Sequence, residues 1–501
     1  MTSPALTVEL DDIQGMVRFG YKRHTQACFL LLRVKQPSAA RAWLATVPVA
    51  TAATTEPPPD TALQVALSRE GLQALGVADD IVNAFSSEYV AGLGNDAARS
   101  RRLGDVGPNA PDRWQWGSGT QVPHVLVLLY ALPGRLAALQ QVVEAQCAAG
   151  FEAMACLPTT DMRSLEPFGF ADGISQPQLD WERRRPVRDQ QAQAYSNLSC
   201  LGEYLLGYPN EYGGYTDRPL LDPQHDPQSL LPRAEESPEQ ADLGRNGSYL
   251  VMRQLRQDVH GFWQFVDDQA GGEAESRDRL AAAMVGRTRK GAPIVEPASA
   301  TPASGSAPDL NDFDYRRDPR GVRCPLGAHV RRTNPRNADL PPGAPGVFSW
   351  AMRTLGFNAH ALEQDRVAST RFHRVLRRGR EYGNPVPLSE ALSGTADGAG
   401  PGLHFICLGA NIVRQFEFVQ GAWVAGTHFD RLHKESDPLL GTRCPVAVNA
   451  TGGVPTDIFS MPQPDGPDQR LSGLPQFVTV VGGAYFFLPG LRALRYLATA
   501  R

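Results

Sequence analysis

The chain has 501 residues, 42% of them hydrophobic and 20% charged, and a formal net charge of −4. That length exceeds what one small core organises and fits two domains, with the composition of a soluble globular protein. A general nucleic-acid binder needs a clustered basic excess, and this balance excludes one.

The opening residues, MTSPALTVELDDIQGMVRFG, show neither a basic segment followed by an apolar stretch nor a twin-arginine signal. The first apolar run, Ala27 to Leu32, is far too short to span a bilayer. Seven cysteines (Cys28, Cys147, Cys156, Cys200, Cys324, Cys407, Cys444) form no C-x-x-C pair, which predicts reduced thiols and excludes a zinc ribbon or ferredoxin-type cluster. The expectation is a cytoplasmic protein with no membrane span.

Residues 26–34 (QACFLLLRV) and 124–131 (HVLVLLYA) are short apolar runs and predict buried strands. Alanine and leucine at helical spacing predict helices over 38–48, 70–87 and 134–149. Residues 180–245 lack periodicity and predict a long connection, while 291–312 are Pro/Ala/Ser-rich and predict a surface loop. Strands are predicted at 248–252, 403–408, 477–481 and 484–488, and helices at 253–269 and 410–422. Two similar α+β units follow from this order, without an evident sequence repeat.

Four segments carry chemistry. In EPFGFADGISQP (166–177), two glycines bracket Phe170, Ala171 and Asp172, which allows a tight turn presenting a carboxylate as an acid/base group; Asp before Gly is also ordinary turn sequence. In RCPLGAHVRRTNPR (323–336), His329 sits between Ala328 and Val330 and precedes Arg331, Arg332 and Arg336. Neutral imidazole ligates haem iron and arginines neutralise haem propionates, although a core histidine has the same local pattern. FHRVLRRGREYGNP (372–385) follows Arg371 and holds Arg374, Arg377, Arg378 and Arg380, a density suited to anionic oxygen and equally to a solvated basic face. GLHFICLGANIVRQFEFVQGAW (402–423) reads as a strand entering a helix, with apolar side chains that also suit a plain core.

Taken together, GFADG, CPLGAH with RRTNPR, LRRGREYG and HFICLGANIVRQFEFVQ occur in the order seen in dye-decolorizing peroxidases. DDIQGMVRFGYKRH, NGSYLVMRQLRQDVHGFWQF and FVTVVGGAYFFLPGLRALRYL also resemble that family, in its larger leaderless subgroup. The resemblance implies two ferredoxin-like domains with antiparallel sheets and haem in the C-terminal half. These would be residues 1–240, carrying the GFADG loop over the distal haem face, and residues 241–501, binding haem.

It further implies a distal aspartate at Asp172, a distal arginine at Arg377 and iron ligation by His329. Glu381 stands where the family usually has Pro before Tyr-Gly. Leu403 and Phe405 would cover the distal haem face, with Arg331 near the propionates. Asp437 best fits the carboxylate partner of the histidine, with Asp430 and Glu417 as competitors. The implied cofactor is haem b, one per chain and non-covalent, since no C-x-x-C-H motif occurs. The implied reaction reduces hydrogen peroxide and, through a ferryl intermediate, oxidises dyes, phenols or other bulky reductants. Partners are therefore peroxide and organic reductants, in a monomer or homo-oligomer. Bulky dyes would be oxidised through aromatics near the motifs, with Trp263, Trp350, Trp423 and Tyr382 as candidates for that role or for ordinary packing. A haem storage, delivery or iron-release protein is the alternative, since carriage needs His329 but neither Asp172 nor Arg377.

Overall fold

Four strands in the first third of the chain and five in the second half build one antiparallel sheet. In this computed structural model the described residues are 7–184, 197–297, 310–336, 369–394, 400–443 and 456–499. The first strands are β1 (Gln26–Val34), β2 (Thr61–Leu67), β3 (Val125–Ala131) and β4 (Phe151–Pro158). The later ones are β5 (Ser248–Gln257), β6 (Leu376–Arg377), β7 (Arg380–Tyr382), β8 (Gly402–Gly409) and β9 (Val478–Leu488). Their order is β6-β8-β5-β9-β2-β3-β1-β4, with β7 also pairing β8.

The same topology occurs twice. The first set runs β4-β1-β3-β2, with helix α1 (Pro37–Thr46) after β1 and helix α2 (Leu136–Cys147) after β3. In the second set, β9-β5-β8-β6 repeats that order, with α3 (Val259–Gln269) and α4 (Ala274–Val285) after β5. Each is the antiparallel α+β arrangement of a ferredoxin-like fold. The two sets meet where β9 pairs β2 through Phe487 and Leu67. Both of these residues are fully buried, so the seam is apolar.

Several segments differ from their sequence patterns for identifiable reasons. Residues 253–257 continue β5, because Arg253 is buried against Asp105 and Leu255 and Gln257 also turn inward. The helix begins only after Asp258, whose side chain accepts from the Gly261 amide. Residues 478–481 and 484–488 lie on a single strand that crosses a register shift near Gly482, with Phe477 just before it. The helical signal over 70–87 resolves into short helices at Arg69–Ala74, Asp79–Asn83 and Ser87–Ala91. Beyond β8 the chain forms two π-helical turns, Val413–Glu417 and Val419–Val424. The 180–245 and 291–312 segments lie partly outside the described residues. Their described parts hold only two-residue strands, turns and the short 3-10 helices Leu201–Glu203 and Pro223–His225.

Gln14 joins the two sets of strands. Its fully buried amide donates to Val65 O (2.7 Å) and Pro489 O (3.0 Å) and accepts from Val65 N (2.9 Å). An unpaired buried backbone group costs about 1–3 kcal/mol. Gln14→Leu leaves three such groups unpaired and is expected to lower stability by roughly 3–5 kcal/mol. The denaturant midpoint measures this, and an unchanged midpoint contradicts the bridging role.

Candidate active site

Elements of both strand sets enclose an apolar cavity of about 300 Å³. Cavities from about 300 to 1,000 Å³ commonly hold cofactors and substrates. Leu403 and Phe405 line it because alternate side chains of β8 point to opposite faces, which sends His404 and Ile406 into the other core.

His329 opens a five-residue helix, α5 (His329–Thr333), and faces the cavity. Its Nδ1 lies 2.9 Å from Oδ2 of Asp437, a fully buried carboxylate. Oδ1 of the same carboxylate accepts the amides of Leu439 and Leu440, each at 2.9 Å. Burial disfavours the charged form of both partners. The Asp437 charge and hydrogen bond outweigh it and raise the imidazole's pKa, while His329 helps to draw the carboxyl's down. Of the competing carboxylates, Glu417 bonds Arg99 and Tyr485, and Asp430 sits beside Arg431. With Nδ1 engaged, Nε2 has no hydrogen-bond partner among the described residues, and the ring lines the cavity.

Asp172 and Arg377 also line the cavity. The loop that carries Asp172 turns through Gly169 (φ +89°) and Gly173 (φ +72°), a conformation that favours glycine. Glu166 clamps this loop by accepting the amides of Phe168 and Phe170, and the Asp172 amide donates to Ser164 O. Arg377 donates from Nη1 to Asp172 Oδ1 at 3.1 Å. Its backbone N–H and C=O are both held by the side-chain amide of Gln176. The Arg377 charge holds the Asp172 carboxyl below its ordinary range, against the opposing effect of burial.

Arg331 is a correction. It does not line the cavity. Its guanidinium donates to Asp318 O, Asp318 Oδ2 and Cys324 O. The guanidinium-bearing residues that do line the cavity include Arg336 and Arg374, from segments whose arginine density was already evident. Sequence reasoning also missed Glu166 and Gln257. Burial pushes the Glu166 carboxyl up to about 7, and Gln257 Nε2 donates to it. The signal was weak, because Glu166 lies in a quoted motif but precedes the turn that drew attention to Asp172. Of the aromatics, Trp263 is buried and donates to Phe168 O, so it offers no surface. Trp423 is half-buried among His373, Phe418 and Phe429, and Tyr382 stacks on His404. Trp350 lies outside the described residues.

These features fit a haem on three counts. An imidazole nitrogen is open to the cavity, the walls are apolar, and guanidinium-bearing residues are among its lining.

No family model matches the chain. Dye-decolorizing peroxidase msp1 of Mycetinis scorodonius is 27% identical over 98% of this chain and 88% of its own length. Multifunctional dye peroxidase DyP2 of an Amycolatopsis species is 29% identical over 87% of this chain and 82% of its own. The crystal structure of a DyP-type peroxidase from Auricularia auricula-judae superposes with a TM-score of 0.72 at 25% identity, covering 99% of this chain and all of that one. In both sequence and fold, the chain is similar along nearly its whole length to dye-decolorizing peroxidases.

Proposed function

We propose that this peroxidase binds one haem b through His329 and reduces hydrogen peroxide with Asp172 and Arg377, while oxidising dyes, phenols or other bulky reductants. The observation that carries the reading is the Asp172–Arg377 pair, 3.1 Å apart, lining the same apolar cavity as a histidine backed by a buried carboxylate. Haem, when bound, supplies the oxidising power.

The protein's own groups supply binding, orientation and proton movement. His329 would hold the haem iron, and Asp437 fixes its ring and makes it more basic. Leu403 and Phe405, apolar side chains in the cavity wall, would keep water from bound peroxide. Asp172 accepts a proton from one peroxide oxygen and returns it to the other, which leaves as water. Arg377 stabilises the negative charge that develops as the O–O bond breaks. Arg374 lines the cavity and is the candidate for the propionates, since Arg331 lies outside the lining and the Arg336 guanidinium is spent on Asn311 and Phe313.

The two stretches 1–240 and 241–501 act as domains in this proposal, the first supplying Asp172 and the second His329, Arg377, Leu403, Phe405 and Asp437. A haem carrier needs no charged pair opposite its ligand, so Asp172 and Arg377 favour turnover over storage or delivery. No helix among the described residues is long and apolar enough to cross a membrane. Cys28, Cys147, Cys156, Cys324 and Cys407 form no disulfide among the described residues, which fits a reducing cytoplasmic setting.

The purified protein should show the visible spectrum of a ferric b-type haem that changes on adding one equivalent of peroxide. His329→Ala should lose the haem or its normal ligation. An unchanged spectrum in that variant removes His329 from the iron.

Arg377→Leu should keep a near-normal spectrum yet react with peroxide several orders of magnitude more slowly, measured by stopped flow. A rate within about threefold of wild type would transfer the role to another arginine, Arg374 or Arg378.

The pH dependence follows from Asp172. A carboxyl with a depressed pKa remains a charged base through mildly acidic solution and is lost only as pH falls through that depressed value. Dye oxidation should therefore be best on the acid side of neutrality, where free histidine, with a pKa near ~6.5, would already be protonated. Asp172→Asn should lose most of the peroxide reactivity and the acidic limb together. Retention of both in a pH–rate profile would reduce Asp172 to a turn residue.

A further inference from the structure

The antiparallel register sets Cys28 of β1 opposite Pro158 of β4, and Leu30 opposite Cys156. The two cysteines therefore occupy diagonal positions on one face of the sheet, beneath α2. Cys28 is buried, whereas Cys156 is exposed on the edge strand. Gln140 of α2 lies between them. It accepts from the Cys28 thiol and donates to the Cys156 sulfur, each at 3.5 Å. The neighbouring Cys28 thiol, which keeps its proton, draws the Cys156 thiol below its ordinary range, to about 7, against burial and the charge of Glu144.

This is the arrangement a peroxide-reactive dithiol needs. One sulfur is solvent-accessible and carries thiolate character, and a second, protonated sulfur sits beside it. We propose that Cys156 and Cys28 form a second peroxide-consuming site, separate from the cavity, that closes to a reversible disulfide. The Cys156 thiolate attacks hydrogen peroxide, giving a sulfenic acid and hydroxide. The Cys28 sulfur then displaces the sulfenic oxygen as water and gives up its proton, forming the S–S bond. One peroxide is reduced by two electrons from the two thiols, and an external thiol or dithiol must return them.

The geometry also sets the bond's character. Diagonal cross-strand positions lie ~7–8 Å apart at Cα. Unstrained disulfides span at most ~7 Å, so closure must pull β4 towards β1. The edge strand can yield, since β4 pairs only with β1 in the main sheet among the described residues and carries a register shift at Leu31/Leu32. A bond closed under strain is readily reduced, as expected of a switch rather than a structural staple.

The test treats the reduced holoprotein with hydrogen peroxide, alkylates it under denaturing conditions and maps the peptides by mass spectrometry. The expected product joins the Cys28 and Cys156 peptides with the loss of two hydrogens and is reopened by dithiothreitol. Its rate should rise about tenfold per pH unit below pH 7 and flatten above, following the thiolate. Cys28→Ser should leave Cys156 as a sulfenic acid that dimedone traps, with dye oxidation unchanged. Cys156→Ser should leave Cys28 unoxidised. The proposal is overturned if both cysteines remain alkylatable after peroxide while dye turnover proceeds, or if Cys156 pairs with a different cysteine. Dimedone labelling of Cys156 in the wild-type chain without disulfide formation would equally remove Cys28 as the resolving thiol.

Discussion

A fully buried carboxylate behind an imidazole is the contact on which the rest of the site depends. Asp437 lies where water cannot solvate it, and an isolated charge there would be expelled or neutralised. Its oxygens instead take His329 Nδ1 and the amides of Leu439 and Leu440, all at 2.9 Å. Bonds to a charged group are each worth about 1.5–3 kcal/mol, which makes the charged form tolerable and locks the ring. Because Nδ1 is engaged, the other ring nitrogen is the one left for the cavity.

The helix that carries this histidine is too short to hold itself. Its arginines do that work, which explains why Arg331 is turned away from the cavity. Arg332 donates to Trp423 O, Gly426 O and Glu435 O, while Arg331 ties the helix to Asp318 and Cys324. A run of basic residues after the histidine is thus mainly a set of anchors to backbone carbonyls. In the sequence this run is indistinguishable from a propionate-binding patch, because both uses require the same buried guanidinium groups. Only the direction of each side chain separates them.

The repeated βαββαβ order was legible as two α+β units, and the buried strands around Phe29 and Val127 carried it. Four strands were not: the short β6 and β7, and the longer β2 and β4. β2 (TALQVAL) has a helical composition and a polar centre at Gln64, which is buried because its amide bonds Met16 N, Ala50 O and Leu63 O. β4 lies at the sheet edge with an irregular exposure pattern, so it lacks the apolar run of an interior strand. Among site residues, His329, Asp172 and Arg377 were readable because each sits in a distinctive motif. Glu166 and Gln176 were not singled out, since their work is to hold backbone amides and carbonyls, and such work imposes no pattern on the sequence.

The duplicated topology has a further consequence. Asp172 comes from a loop following the first strand set, whereas His329 and Arg377 come from the second. Neither set alone encloses the cavity, which is lined by residues of both. The Asp172–Arg377 hydrogen bond therefore spans the two sets as well as the site, and so do the Gln176 contacts with the Arg377 backbone. A change that loosens the seam at Leu67 and Phe487, or the bridge at Gln14, acts on these contacts without touching a cavity residue. Small displacements are costly here, because a charged pair in an apolar cavity has little solvent to compensate for a lost partner. Docking of the two sets and positioning of the Asp172–Arg377 pair are thus one physical problem, and the packing that solves the first also solves the second.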